Sequence, residues 1–371
     1  MKACTILKGL PDLAIAGLFA MLLADFSGQR AAAQAGAQDA ATSSQRDSDQ
    51  GAGQITIHVV VGDKLDHPVR GLEASDFTVL DNKQPQKLLG FRAEDAESST
   101  TEPVRIVIVV DMINNGVMAV ARAREEIGVF LKEDGGKLAN PTSIAIFADG
   151  GLKVQNGWTR DGNELLAVFN KTSSELRVIG RNSGFNGDAE RLEMSLNQLD
   201  QLAAVEAEQP GRKLLMVIGG GWPLLARAGD ESDLKQRTWV FNSIMQLTNG
   251  FREANIGLYC LDPYGLGRTN PFYYEGYLKG VAAVKDATYP NLALQVLAVH
   301  SGGQVLINGS DITADLNTAI RDASAGYDLT FAAAPGDRTN EYHALQVQVD
   351  KPNVKARTVA GYYAHTIAAS R

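Results

Sequence analysis

The chain has 371 residues, 44% of them hydrophobic and 21% charged, a globular composition that excludes disorder throughout and leaves room for two domains or one large one. A formal charge of −8 argues against nucleic acid or an anionic membrane surface as the main partner, because both demand a concentrated positive field. Two cysteines, Cys4 and Cys260, support neither a disulfide framework nor a Cys-x-x-Cys metal or redox motif.

Lys2 and Lys8 precede an apolar run over 13–23, and Ala31-Ala32-Ala33 offers the small residues that a signal peptidase accepts. Residues 1–33 therefore read as an export signal, with an uncleaved anchor as the alternative; the run is shorter than the about 20 residues that a span requires. Cys4 precedes the apolar core, where a lipid-anchored cysteine would follow it. Residues 34–54 contain no large apolar side chain and read as a flexible tether. The expected location is periplasmic or extracellular, with no stable membrane insertion once the signal is removed.

Ile55, Ile57, Val59 and Val61 alternate with Thr56, His58 and Val60, the period of a strand with one better buried face. Shorter strands are expected at 77–80 and 87–91. This unit, residues 55–100, is too small to be stable alone. Its expected partner is the other end of the chain, residues 325–366, with strands at 327–332, 342–349 and 355–363 between the turns Pro335-Gly336-Asp337 and Lys351-Pro352-Asn353. His58 and His343 then occupy ordinary strand positions, since neither has a His, Asp or Glu at ligand spacing in the chain.

Between these ends strands and helices alternate. Residues 106–110 form a continuous β-branched run, followed by a helical pattern over 117–131. Strands are expected at 143–147, 152–158, 213–218, 256–261 and 304–307, and helices at 165–172, 191–208, 234–249, 292–301 and 315–323. Asp161 and Glu164 suit the start of the first of those helices. The predicted fold class is α/β: a doubly wound, mostly parallel sheet over 104–324, carried on a small all-β sandwich-like unit built from both terminal segments.

Ligands of such sheets gather at the carboxyl ends of the parallel strands, which points to 111–115, 219–222 and 262–267. Asp111 and Asp262 each directly follow a strand, and with Asn114, Asn115 and water they could hold a hard divalent cation; helix capping by Asp111 and an ordinary Asp262-Pro263 turn are the alternative. Gly219-Gly220-Gly221 could cradle a phosphate, yet the dinucleotide fingerprint stops at Leu224, and close backbone approach is the simpler reason for three glycines. No Gly-x-Ser-x-Gly elbow, Walker loop or His-Glu-x-x-His helix occurs. Tyr264, Phe272, Tyr273, Tyr274, Tyr277 and Tyr289 crowd one insertion, and Trp222 falls at the same rim. Such aromatics either line a binding surface or pack on one another. Cys260, inside an apolar stretch, reads as a buried small hydrophobe.

A strand ending in Asp111, the α/β alternation and a late strand ending in Asp262-Pro263 resemble a von Willebrand factor type A domain. Gly71-Leu72 with Asp76 through Asp81, then Ser301-Gly302-Gly303, then Ala356-Arg357 and Gly361-Tyr362-Tyr363, are similar to the VWFA-related domain proteins of the acidobacterial type. The likeness covers about residues 55–364. It implies a metal-ion-dependent adhesion site of the form Asp-x-Ser-x-Ser, a Thr in a second loop and an Asp after the fourth strand. Here Asp111 matches, Ile113 cannot ligate, Asn115 supplies only an amide oxygen, and the second loop, 181–188, offers Asn182, Ser183 and Asp188 in place of Thr. The implied metal set Asp111, Asn115 and Asp188 is therefore degraded, and Mg²⁺ or Ca²⁺ would be held weakly.

The combined expectation is an exported, non-enzymatic binding, adhesion or scaffold protein with no required cofactor and no catalytic residue. It would recognise a protein or cell-envelope ligand at the rim of Asp111, Asn114, Asn115, Trp222, Asp262 and Tyr264. A metal-assisted hydrolase at the same rim and a structural subunit of an envelope assembly are the alternatives.

Overall fold

Five consecutive β-branched residues, Ile106 through Val110, suit a strand only where both of its faces are covered. The computed structural model of the chain places them so. It describes residues 53–95, 103–175, 184–223, 225, 233–264, 270–307, 311–322, 325–334, 336, 338 and 340–364. The expected signal and nearly all of the tether lie outside this set. By contacts the chain divides after Gly51, and every element below belongs to the unit from Ala52 onward.

The chain opens with β1 (Gln54–Gly62), β2 (Phe77–Asp81), β3 (Gln84–Gln86) and β4 (Leu88–Asp95). The central region runs β5 (Arg105–Asp111), α1 (Val117–Lys132), β6 (Lys137–Phe147), β7 (Lys153–Val154), β8 (Thr159–Asp161), α2 (Gly162–Glu175), α3 (Phe185–Ala207), β9 (Lys213–Ile218) and α4 (Leu234–Glu253). It continues through β10 (Ile256–Leu261), α5 (Leu294–His300), β11 (Val305–Leu306) and α6 (Ile312–Asp322), and β12 (Ala325–Ala332), β13 (Glu341–Val349), β14 (Lys355–Arg357) and β15 (Gly361–Ala364) close the chain.

The central sheet has the order β11-β10-β9-β5-β6-β7, with β8 also on β6; it is parallel from β11 to β6 and antiparallel at β7 and β8. Period-2 alternation sends Ile106, Ile108 and Val110 to a core shared with α1, α2 and α6, and Val107 and Val109 to one shared with α3, α4 and α5. The fold is thus mixed α/β with helices on both faces of a mostly parallel sheet. Cys260 is fully buried in the second of those cores.

Two further sheets are antiparallel, β14-β1-β12-β4 and β15-β13-β2-β3, and each combines strands from both ends of the described chain. Ile55, Ile57, Val59 and Val61 of β1 meet Phe77, Val79, Leu345 and Val347 of the other sheet in one apolar cluster, which supplies the burial that neither terminal segment has alone. Phe77, Phe91 and Tyr327 form a ring cluster there, with centroids 5.0–5.9 Å apart.

Two sequence expectations are corrected. Residues 355–363 do not make one strand: β14 pairs with β1, and β15 with β13, so the chain changes sheets at 358–360. That crossing is held by Thr358 Oγ1 donating to the His58 carbonyl at 2.7 Å and by Ala360 N donating to the His300 carbonyl at 3.0 Å. Residues 152–158 shrink to the short β7, because Gly157 at φ +83° turns the chain before β8 returns to β6. Among the described residues no helix is long and apolar enough to cross a membrane.

Candidate functional site

β5 lies between β6 and β9; the chain leaves β5 through α1 on one face of the sheet and β9 toward α4 on the other, so the connections diverge at this pair, where such sheets bind their ligands. Asp111 ends β5 at this point. Its carboxylate is fully buried and already saturated. Oδ1 accepts from Ile113 N at 2.9 Å and Asn114 N at 3.0 Å; Oδ2 accepts from Asn114 Nδ2 at 2.8 Å and from the Trp222 indole Nε1 at 3.2 Å. Burial raises the Asp111 carboxyl above its ordinary range, with these donors opposing the shift. Four N–H groups thus occupy the acceptor positions of this carboxylate.

The neighbouring groups are paired as well. Asn115, also buried, donates Nδ2 to the carbonyls of Asp111 at 2.7 Å and Ile218 at 3.3 Å, while its Oδ1 accepts from Gly220 N at 3.4 Å. Asn114 Nδ2 also reaches Ser195 Oγ at 2.8 Å. Two of the three glycines are fixed by close packing. A Cβ at Gly219 would lie 3.3 Å from the Asp111 Cβ, and Gly221 has φ +92° with Gln295 where its Cβ would stand.

The other expected site residues have partners of their own. Asp262 is buried and its Oδ1 accepts from Tyr264 N at 2.9 Å, which makes it a turn-forming group of its own loop. Asp188 sits in the first turn of α3 and pairs with Arg191. Asn182 and Ser183 lie outside the described residues. Trp222 and Asn115, expected at a recognition surface, are interior instead: only 3% and 6% of each is exposed.

Of the aromatic insertion, Tyr274 packs with Ala293 and Val296, Tyr273 donates its hydroxyl to Gln295 Oε1 at 3.0 Å, and Tyr289 lies against Trp239. Tyr264 and Phe272 remain exposed, as do Val117 and Met118, which open α1 directly after the Asp111 loop. Val117, Met118 and Tyr264 thus leave apolar surface a few residues after the carboxyl ends of β5 and β10.

Sequence spacing also missed two histidine partnerships, both made between distant strands. His343 Nδ1 lies 2.9 Å from Asp81 Oδ1, and the Tyr362 hydroxyl donates to Asp81 Oδ2 at 2.7 Å. In the other sheet His58 and Asp328 are register partners, with Nδ1 2.9 Å from Oδ1, and Arg92 bonds both Asp328 and Glu94. The one sequence signal was a polar residue repeated at outward positions of β1.

Burial raises the Asp328 carboxyl, but the hydrogen bonds and charges of His58 and Arg92 outweigh it and bring it from 3.8 down to about 2. His58 itself is held below its ordinary value by burial and Arg212, so near neutral pH its neutral ring donates to the carboxylate, and the pair becomes ionic only in acid. A folded-state value below the unfolded one means stability that is present above about pH 4 and lost as pH falls toward 2. In Asp328→Asn that loss is expected to vanish, so urea midpoints of the variant and the native chain should converge across this window; a constant gap would contradict the pairing.

No family model matches this chain, and no curated protein matches it in sequence. Among solved structures, it is similar to the human COPII-coat protein Sec24c, at 10% identity and TM-score 0.32, over 77% of this chain and 49% of that one. It is also similar to the TFIIH p34 N-terminal domain, at 11% identity and TM-score 0.22, over 53% of this chain and 96% of that one. The chain spans about half the length of the Sec24c chain. Both likenesses have TM-scores under 0.5.

Proposed function

We propose that this is an exported, non-enzymatic binding or scaffold protein: an A-type α/β domain displayed on the two-sheet base, engaging a protein or envelope ligand at its carboxyl edge without a cation. The observation that carries this reading is the Asp111 carboxylate, whose two oxygens already accept four hydrogen bonds, one of them from Trp222. What remains for recognition is apolar surface: Met118 at 81% exposure, Val117 at 64% and Tyr264 at 42%. Methionine and tyrosine suit a contact surface, since one adapts its shape and the other contributes large area with few torsions. The apolar run over 13–23 supports export.

The test is capture of a partner from the envelope fraction of the source cells by the immobilised chain. Capture is expected to persist in EDTA and to weaken about tenfold or more in Met118→Asp and Tyr264→Ala, the scale of an interface hot spot. Loss of capture in EDTA, unchanged capture by both variants, or hydrolytic turnover that disappears in Asp111→Ala would each overturn the reading.

A further inference from the structure

At the opposite edge of the central sheet, the outer face of β1 and the amino ends of β9 and β10 enclose a cavity with one-sided charge. Because Ile55, Ile57, Val59 and Val61 turn into the two-sheet core, Thr56 and His58 face the other way. The cavity is lined by His58, by Arg212 just before β9, by Arg252 and Asn255 at the turn into β10, and by Ser301 and Gly302 after α5. Its volume is about 30 Å³, more than the roughly 10–15 Å³ that one water requires. Among the described residues no carboxylate lines it.

Two side chains of this lining leave a buried nitrogen unpaired, Arg252 Nε as a donor and His58 Nε2 as an acceptor. Arg212 is 5% exposed, and its Nη1 donates to the Asp322 carbonyl at 3.3 Å. Arg252 donates Nη2 at 2.7 Å to Glu253, a side chain 55% exposed, and its Nε is buried with no acceptor. A guanidinium N–H can only donate, so rotation cannot relieve this. His58 holds its proton on Nδ1 toward Asp328, and its Nε2 is likewise buried without a partner. Buried polar atoms are almost always paired, and orphans gathered around a cavity call for an occupant. Two guanidiniums with no lining carboxylate make that occupant an anion.

We propose that this cavity binds a small oxyanion, the carboxylate or phosphate class, through Arg212, Arg252 and His58. On binding, His58 Nε2 takes a proton from solvent and donates it as a hydrogen bond to the anion. The groups that face the ring are Asp328 and Glu94 on its own sheet, Arg92 bonded to both, and Arg212 from the α/β layer. An anion beside the ring offsets Arg212 and leaves the imidazolium held between two acceptors. The site is separate from the carboxyl edge and does not depend on the function proposed there.

Acetate and inorganic phosphate titrated into the purified chain at pH 6.5 test this by calorimetry, each in two buffers of different ionisation heat. A saturable one-site isotherm is expected for at least one anion, with a buffer-dependent heat that reports proton uptake. Arg252→Gln should weaken binding about tenfold or more, and His58→Gln should remove the buffer dependence; Arg252→Lys and His58→Asn replace either variant if it does not fold. A general salt effect would act on native and variant chains alike. Absence of a saturable isotherm with both anions, or equal affinity in native and variant chains, overturns the proposal and leaves the cavity to water alone.

Discussion

Asp111→Ala is expected to lower folding stability by about 3–5 kcal/mol, the scale on which removing one member of a buried polar network acts. The truncation leaves Ile113 N, Asn114 N and the Trp222 indole without their acceptor in a region closed to water, and only Asn114 Nδ2 keeps a second partner, Ser195. Urea denaturation measures the loss, and an unchanged slope would show that the unfolded state is not responsible. Asp111→Asn should lose less, since its remaining oxygen can still accept from Ile113 and Asn114. An open cation site predicts the opposite sign for both variants. A lone carboxylate built to hold an ion is a liability without it, and its removal leaves stability unchanged or improved. Equal stability of Asp111→Ala and the native chain would falsify that network.

Gly303→Ala is expected to be as damaging for a different reason. A Cβ there would stand 1.8 Å from the Leu258 carbonyl oxygen and 2.6 Å from its carbon. The obstacle is backbone, in a strand paired on both sides with β9 and β11, so no side-chain rotation offers relief. Overpacking commonly costs about 1–3 kcal/mol, and a backbone obstacle places this variant at the upper end or beyond it. Ser301 completes the same close approach, accepting from Leu258 N and donating to the Ala298 carbonyl, both at 2.8 Å. Gly250→Ala is the matched control. It lies in α4 with no atom beyond its own helix turn within 4 Å of its Cβ position, and it should gain about 0.5–1 kcal/mol from helix propensity. Thermal denaturation of the two variants side by side separates close approach from any general intolerance of alanine.

The parts legible in sequence are those whose cause is local. β9 and β10 fall on the predicted residues, 213–218 and 256–261, because an apolar run buried on both faces marks its own ends. The alternation of β1 likewise identified its buried face. Helix ends were less legible: α4 continues to Glu253, four residues past the predicted end, where tertiary packing of Phe251 extends it. The single strand expected over 355–363 failed because no turn residue marks the change of sheet. The crossing is specified by hydrogen bonds to His58 and His300, which are remote in sequence.

The site divides in the same way. Chain order alone determines that Asp111 ends a buried strand, since hydrophobic patterning requires nothing distant; that β5 lies between β6 and β9 comes from long-range pairing. Chain order also determines that one cysteine is interior and that no familiar catalytic motif is present. Three of the four donors to Asp111 come from the next few residues, but the fourth, the Trp222 indole, is 111 positions away and is placed only by the fold. Likewise, only packing of the two-sheet base against the central sheet brings His58 beside Arg212 and Arg252. Hydrogen bonds and charge pairs act over a few ångströms of space, so their partners are chosen by topology, while burial patterns act residue by residue and are written along the chain.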